Sequence, residues 1–266
     1  MKTNKFIIII VLVVAVFFGY RWYRRATAPP PPPPPPSIEQ TITTIEGWTV
    51  EEIAEYLRDA IGMPVTAFEK AAFAYPKSPA GKSFFGGGRI QSVEGYLFPD
   101  TYRVYKKATA LDVVEKMLAN FDARVTADIR AKIRAQRLTL HEGVTLASII
   151  EQEVATPEDR RVVADIFLKR LKAGIALQAD STVNYITKKG MSRATIVDTK
   201  IDSPYNTYRY RGLPPGPISN PGLDAILAVA EPTLSPYLYF LTTEDGRVIY
   251  ARDFEEHKQN RQRYLH

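Results

Sequence analysis

Glu151 and Glu153 are the carboxylates in this sequence whose spacing suggests chemistry. Leu146, Ile149 and Ile150 recur at helical spacing, and the pattern continues to Glu153, so a helix here places Glu153 on its apolar face. Glu151, two residues earlier, is rotated by about 200° and points nearly the opposite way. Burial raises the pKa of a carboxyl group and keeps a proton available near neutral pH, as a general acid requires. The pattern predicts a catalytic Glu153; the alternative is a glutamate at the edge of the core, paired with an arginine or lysine.

Polar loops that follow this segment could supply binding groups. They are dense in tyrosine, asparagine, glutamine and threonine, which suits a carbohydrate because aromatic rings stack on sugar faces and amides hydrogen-bond hydroxyl groups. Ordinary turn chemistry is the alternative, since glycine and proline shape the same loops. The sequence contains no glycine-rich phosphate loop, Gly-x-Ser-x-Gly elbow or dinucleotide fingerprint. The loops contain Gln178, Asp180, Ser181 and Thr182, then residues 203–208 (SPYNTY) and residues 212–217 (GLPPGP).

The charge distribution argues against a nucleic-acid partner. The net charge is +6, but residues 1–36 hold five of the 35 basic residues and none of the 29 acidic ones. The remainder is nearly neutral and has no basic footprint for phosphates. Cysteine is absent, and His141, His257 and His266 are not at metal-ligand spacing. We expect no metal or other cofactor, and we expect His141 and His257 to be surface or packing residues.

Residues 1–25 are predicted to be a transmembrane anchor. An uncharged apolar run from residue 6 to residue 20 spans only about 22 Å as a helix, but the aromatic and arginine residues that follow can extend it to the interface. A cleaved signal peptide is the competing interpretation, with a cleavage site near Ala28. The arginines between the run and that site favour the anchor. Residues 26–36 form a proline-rich linker, which we interpret as a polyproline II stalk rather than a recognition peptide.

The rest of the chain indicates an α+β fold of mixed helices and short strands. Thr49 and Glu52 form a predicted capping box, and Thr145 is expected to cap the helix that carries Glu153. Thr156 caps another helix, which Gly174 closes. Further helices are predicted at residues 111–121, 125–137 and 220–230 and from residue 254, strands at 41–44, 237–242 and 247–251, and a flexible loop at 77–89.

Five motifs in this order resemble the YceG-like (MltG) endolytic murein transglycosylase family. They are residues 94–102 (EGYLFPDTY), 146–153 (LASIIEQE), 177–183 (LQADSTV), 203–208 (SPYNTY) and 212–222 (GLPPGPISNPG), and the resemblance extends from about residue 45 to residue 257. It implies a single-pass protein of the inner (cytoplasmic) membrane whose catalytic domain faces the cell wall. Such an enzyme cleaves the MurNAc–GlcNAc β-1,4 bond within glycan strands and leaves 1,6-anhydro-MurNAc ends.

The resemblance also assigns roles to residues. The family's catalytic glutamate is the second acid of its Glu-Lys-Glu motif, which is Glu153 here, with Gln152 in place of the lysine. One acid suffices if the MurNAc 6-hydroxyl attacks C1; a hydrolase would need a second carboxylate, for which Asp180 is the candidate. The substrate-binding residues implied by motif position are Gln178, Asp180, Tyr205, Asn206 and Tyr208.

The implied domains are a partial LysM-like segment with a connecting loop at residues 37–92 and a YceG-like catalytic domain at residues 93–266. The partner is the peptidoglycan glycan strand. Peptidoglycan synthases are a candidate partner class for an enzyme that terminates growing strands, although no residue indicates that contact. A non-catalytic cell-wall-binding scaffold protein remains an alternative of a different class.

Overall fold

The structure, a computed structural model, describes Arg21 and residues 38–85, 90–190 and 194–265. The chain divides into two compact units, Met1–Ile38 and Glu39–His266, and the elements below belong to the second. Apart from Arg21, the predicted anchor at residues 1–25 and the predicted linker at 26–36 lie outside the described residues. Within the described ranges, no helix is long and apolar enough to cross a membrane.

Helices dominate the second unit. In chain order they are α1 (Val50–Ile61), α2 (Val65–Ala74), α3 (Pro79–Phe84), α4 (Ala110–Arg124), α5 (Ala127–Ala135), α6 (Leu140–Glu153), α7 (Pro157–Lys172), α8 (Asp180–Thr187), α9 (Leu223–Ala230) and α10 (Phe254–Tyr264), with 3-10 turns at Tyr75–Lys77 and Asp198–Lys200.

Two antiparallel strand pairs accompany the helices. β1 (Glu39–Thr43) pairs with β2 (Thr101–Tyr105), and β3 (Tyr239–Thr242) pairs with β4 (Val248–Ala251). This segregation of strands from helices confirms the predicted α+β class. β1 lies before the boundary predicted between residues 92 and 93, and β2 lies after it. One sheet therefore crosses that boundary, and the division into a LysM-like segment and a catalytic domain stays a prediction.

The helix α6 is almost wholly enclosed, with every residue from Gly143 to Ile150 buried. It packs against α5, α7, α8 and α9. The prediction that Thr145 caps this helix is wrong, because the helix begins one and a half turns earlier. Thr139 forms the capping box with Glu142, whose backbone N–H donates to the Thr139 hydroxyl (3.2 Å). Gly143, inside the helix, permits close packing, since a Cβ there would lie 2.5 Å from Ile133.

The prediction of a flexible loop at residues 77–89 is wrong for residues 79–84. Residues 79–84 form α3, which Ser78 caps by accepting from the Gly81 N–H (3.0 Å). Gly81 fits tightly against the preceding 3-10 turn, since a Cβ there would meet the carbonyl of Tyr75. That tertiary contact explains a glycine inside a helix, which composition alone suggested was a loop. Residues 86–89 lie outside the described ranges.

Candidate active site

A cleft of about 1450 Å³ exposes the end of α6 to solvent. This volume exceeds that of typical small-molecule pockets and is large enough for several sugar units of a polymer. Its walls come from the segment before and at the start of α1, from the start of α8 with the residues before it, and from β3 and α10. Four separated parts of the chain thus meet around one helix terminus.

Glu153 lies in this cleft as the last residue of α6. Leu146, Ile149 and Ile150 are fully buried, as the helical pattern predicts, and the same face ends at the partly exposed Glu153. The Thr242 hydroxyl donates to the Glu153 carbonyl oxygen (3.1 Å), which ties the helix terminus to β3. A buried helix therefore presents one carboxyl group to the cleft from a fixed backbone.

The hydrogen bonds of the Glu153 carboxyl group come from Ser181. The Ser181 hydroxyl and backbone N–H both donate to Oε1, at 2.7 and 3.1 Å. Among the described residues, no arginine or lysine pairs with Glu153. Burial raises the pKa of Glu153 to about 7; the bonds from Ser181 oppose that rise, and the charge of Asp180 adds to it. The group is therefore poised to give up and take back a proton near neutral pH.

The backbone that carries Ser181 is held by Thr207. Gln178 has a positive φ of 53°, and its N–H donates to the Thr207 carbonyl oxygen (3.1 Å). The Ala179 N–H donates to the Thr207 hydroxyl (3.0 Å), which also contacts the hydroxyl of Thr182 (2.9 Å). The SPYNTY loop thus positions the start of α8, and with it the donors to Glu153. Sequence reasoning did not identify this role for Thr207.

Asp180 lines the same cleft, and Tyr208 is its partner. The Tyr208 hydroxyl donates to Asp180 Oδ1 (2.6 Å). Burial and the neighbouring Asp180 carboxylate both raise the pKa of Tyr208, so its phenol keeps its proton and continues to donate. Gln178 also lines the cleft, with an exposed side chain. Three of the predicted substrate-binding residues thus lie together near Glu153.

Tyr205 and Asn206 lie elsewhere, outside the set of described residues that line the cleft. Asn206 is fully buried, and its amide donates to the carbonyl oxygens of Thr199 (3.0 Å) and Ile201 (2.8 Å). Tyr205 packs on Tyr185, with 5.1 Å between ring centroids. These contacts shape the loop, and substrate contact by Tyr205 and Asn206 stays a prediction.

Glu151 points away from Glu153, as the spacing predicts, and forms a buried ion pair with Arg160. Its Oε2 also accepts from the Gly222 N–H (3.0 Å). The side chains of Glu151 and Arg160 are only 5% and 8% exposed, so each charge offsets the cost of removing the other from water. The structural role considered for Glu153, a glutamate paired with arginine, thus belongs to Glu151.

Several cleft residues were not predicted from sequence to contribute to the site. Trp48 and Tyr185 provide aromatic surface, while Tyr239, His257 and Arg261 form the wall from β3 and α10. His257 stacks on Tyr239, so it has the expected packing role but also faces the cleft. Nothing in the local sequence links these residues to Glu153, because Tyr185 is 32 positions away and the other four are more than 80 positions away. In the described ranges, no group of three or more acidic or histidine side chains could hold a metal ion.

The comparisons with known proteins agree with this architecture. The model of the YceG-like family matches residues 33–263. A Bacillus subtilis (strain 168) protein named endolytic murein transglycosylase is 37% identical over 174 residues, covering 65% of this chain and 48% of the relative. A Streptococcus pneumoniae (D39) protein of the same name is 32% identical over 241 residues, covering 83% and 44%. This chain therefore spans a little under half the length of these relatives.

A crystal structure of a YceG-like protein from Listeria monocytogenes has the same fold. It superimposes with a TM-score of 0.72 at 33% sequence identity, over 82% of this chain and 75% of that one. Family match, sequence identity and fold point the same way: the chain belongs to the YceG-like family.

Proposed function

We propose that this protein is an endolytic murein transglycosylase that cuts peptidoglycan glycan strands at the MurNAc–GlcNAc β-1,4 bond. The observation that carries the proposal is Glu153, a carboxyl group that lines a polymer-sized cleft and whose pKa burial raises to about 7. The names of the Bacillus and Streptococcus relatives support the same activity.

Glu153 acts as the single acid and base. Ser181 holds Oε1 with two donors, so in the protonated form the proton is on Oε2. Oε2 donates that proton to the glycosidic oxygen as the bond from this oxygen to MurNAc C1 breaks. The MurNAc 6-hydroxyl attacks C1 and gives its proton to the Glu153 carboxylate. The products are a GlcNAc 4-hydroxyl end and a 1,6-anhydro-MurNAc end, and Glu153 is again protonated.

A hydrolase is the second candidate, and Asp180 is the observation that favours it. Its carboxylate lines the same cleft, and its charge contributes to the raised pKa of Glu153, so the two groups interact. Asp180 could activate a water molecule while Glu153 protonates the leaving oxygen. The chemistry of the new MurNAc end separates the two: a free reducing end follows hydrolysis, and an anhydro end follows transglycosylation.

The decisive experiment compares the full-length chain in detergent with its Glu153→Gln variant on uncrosslinked glycan strands, with products analysed by mass spectrometry. We expect anhydro-ended fragments from the wild type and a loss of at least about a hundredfold in the variant, because glutamine cannot transfer the proton. Glu55→Gln is the matched control, since Glu55 is another glutamate of the same cleft. Binding without cleavage by both proteins would support the scaffold alternative, and equal cleavage by both would reject Glu153 as the acid.

We further propose that residues 1–25 anchor the protein in the cytoplasmic membrane and that residues 37–266 lie on the extracytoplasmic side. The apolar run, the interfacial aromatics and the arginines support the anchor, and the extracytoplasmic substrate supports the orientation. Added protease should digest the folded unit in spheroplasts, and digestion only after lysis would contradict this topology. Synthase contacts remain a proposal that pull-down with the full-length protein can test.

A further inference from the structure

Arg261 is a cationic side chain on the cleft wall that the proposed chemistry does not use. It belongs to α10, which packs on β3 and β4. The His257 ring stacks on Tyr239 of β3, with centroids 5.3 Å apart and an interplanar angle of 28°. Arg261 follows His257 by four residues and therefore lies on the same face of the helix. Both residues line the cleft that contains Glu153.

The guanidinium of Arg261 has no hydrogen bond or ion pair with any described residue. Other charged groups on α10 and in the cleft have contacts of their own. Lys258 pairs with Glu255 at 2.7 Å, and Arg263 lies over the ring of Tyr264. Arg170, which also lines the cleft, is buried and donates from Nε to the Leu238 carbonyl oxygen (2.9 Å) and from Nη1 to that of Leu177 (2.7 Å). Arg261 thus keeps its five donors available to a ligand.

The charge of Arg261 acts on two other side chains of the cleft, Tyr208 and His257. The charge of Arg261 acts to lower the pKa of Tyr208, whose hydroxyl holds Asp180 beside Ser181. Burial, and then the charges of Arg261 and Arg170, lower the pKa of His257. His257 is therefore neutral at neutral pH, and its buried Nδ1 has no hydrogen-bond partner among the described residues.

None of the acidic residues that line the cleft forms an ion pair with Arg261 in the described part of the chain. Glu153 and Asp180 are held by Ser181 and Tyr208, and Glu244 is the acid that the turn between β3 and β4 adds to the lining. The remaining acids of the lining come from the end of α6 and from the segment at the start of α1, namely Glu46, Glu51, Glu52, Glu55 and Glu151. The cleft therefore has on its α10 wall a cation that forms no ion pair with a described residue.

We propose that Arg261 binds a carboxylate carried on the 3-O-lactyl side chain of MurNAc, and that this contact selects substituted glycan strands. The sugar backbone of such a strand is neutral, so its anions lie on the lactyl group or on the stem peptide attached to it. A guanidinium recognises a carboxylate with two parallel N–H donors, a geometry that neutral hydroxyls do not match. The proposal rests on the proposed function, because it takes the murein strand as the occupant of the cleft.

Binding measurements with the full-length Glu153→Gln protein test this without interference from cleavage. The three probes are uncrosslinked strands with stem peptides, amidase-treated strands whose lactyl group ends in a free carboxylate, and chitooligosaccharides, which have neither group. Adding Arg261→Gln should raise the Kd by roughly tenfold for a carboxylate-bearing probe and leave chitooligosaccharide binding unchanged. Arg263→Gln is the matched control on the same helix and should change none of the three.

The pattern across probes identifies the carboxylate. A loss confined to peptide-bearing strands supports a stem-peptide carboxylate, and a loss on both kinds of strand supports contact with either source. The loss should shrink as ionic strength rises. Equal losses on all three probes, or no loss on any, would overturn the proposal. Failure of the proposed function has a different signature: the wild type would not cleave strands, whatever Arg261 contributes to binding.

Discussion

Replacing Ser181 with alanine should raise the pKa of Glu153 and move the pH optimum of the enzyme. The Ser181 hydroxyl donates to Glu153 Oε1 at 2.7 Å, and the bond stabilises the ionised carboxylate. A hydrogen bond to a charged group contributes about 1.5–3 kcal/mol, and one pKa unit corresponds to about 1.4 kcal/mol. The backbone N–H at residue 181 remains as a donor (3.1 Å). We therefore expect an upward shift of about one unit from the wild-type value of about 7.

The sign of the effect on activity follows from which form reacts. In the proposed mechanism protonated Glu153 starts the reaction, so kcat/KM should fall as pH rises through the pKa of the free enzyme. In Ser181→Ala this alkaline limb should lie about one unit higher than in the wild type. The plateau at lower pH should fall roughly tenfold, because the carboxyl group loses a donor that orients it.

The assay is the release of soluble fragments from uncrosslinked strands between pH 5 and 9. Ser181→Thr is the control, since it keeps the hydroxyl and should keep the limb near its wild-type position. Circular dichroism and thermal melting check that both variants fold. An alkaline limb that stays in place or moves down in Ser181→Ala would show that Ser181 does not stabilise the Glu153 carboxylate, and the assignment of Oε2 as the proton carrier would fail with it.

Two further predictions concern stability. Glu151→Ala should lower the free energy of unfolding in urea by about 3–5 kcal/mol, because buried Arg160 then keeps only the more distant Glu46 carboxylate (3.9 Å) opposite its charge; Asp59→Ala, at an exposed ion pair, should change it little. Burial raises the pKa of Glu94 to about 8, so the fold favours the protonated form. The contribution of Glu94 to the free energy of unfolding is therefore full below pH 4.5 and is lost as pH rises towards 8. Glu94→Gln mimics the protonated acid, and its stability relative to the wild type should rise by about 1.4 kcal/mol per pH unit between pH 5.5 and 7.5. Parallel pH dependences of the two proteins would contradict this assignment.

Local signals predicted most helices and strands, because their determinants lie within a few residues. The capping box of Thr49 and Glu52 is present, with the Thr49 N–H donating to the Glu52 carboxylate at 2.7 Å. The proline after Thr156 begins α7, and the apolar spacing of α6 correctly assigned Glu153 to its buried face. The errors at Thr145 and at residues 79–84 occur where a glycine is required by packing against another element rather than by a turn. The loop predicted at Asp180, Ser181 and Thr182 is also wrong, because these residues begin α8.

For the candidate site as well, local patterns predicted some residues, and only the fold identified the others. The sequence alone determined that Glu153 and not Glu151 faces the apolar side, because helical periodicity is a property of a few consecutive residues. It also indicated Gln178, Asp180 and Tyr208 through motifs that lie on the cleft in the structure. It could not distinguish these from Asn206, whose polar atoms are used within its own loop.

Only the tertiary structure brings Ser181 and Thr242 into contact with Glu153 and Arg261 into the same cleft, across separations of 28, 89 and 108 positions. Long-range contacts of this kind leave no local pattern, because each segment satisfies its own helix or strand requirements whichever partner it meets. The pKa of Glu153, the carboxyl oxygen that carries its proton and the cation on the cleft wall all depend on them. The sequence of α6 selects the acid, and the packing of α8, β3 and α10 around its end decides what that acid can do.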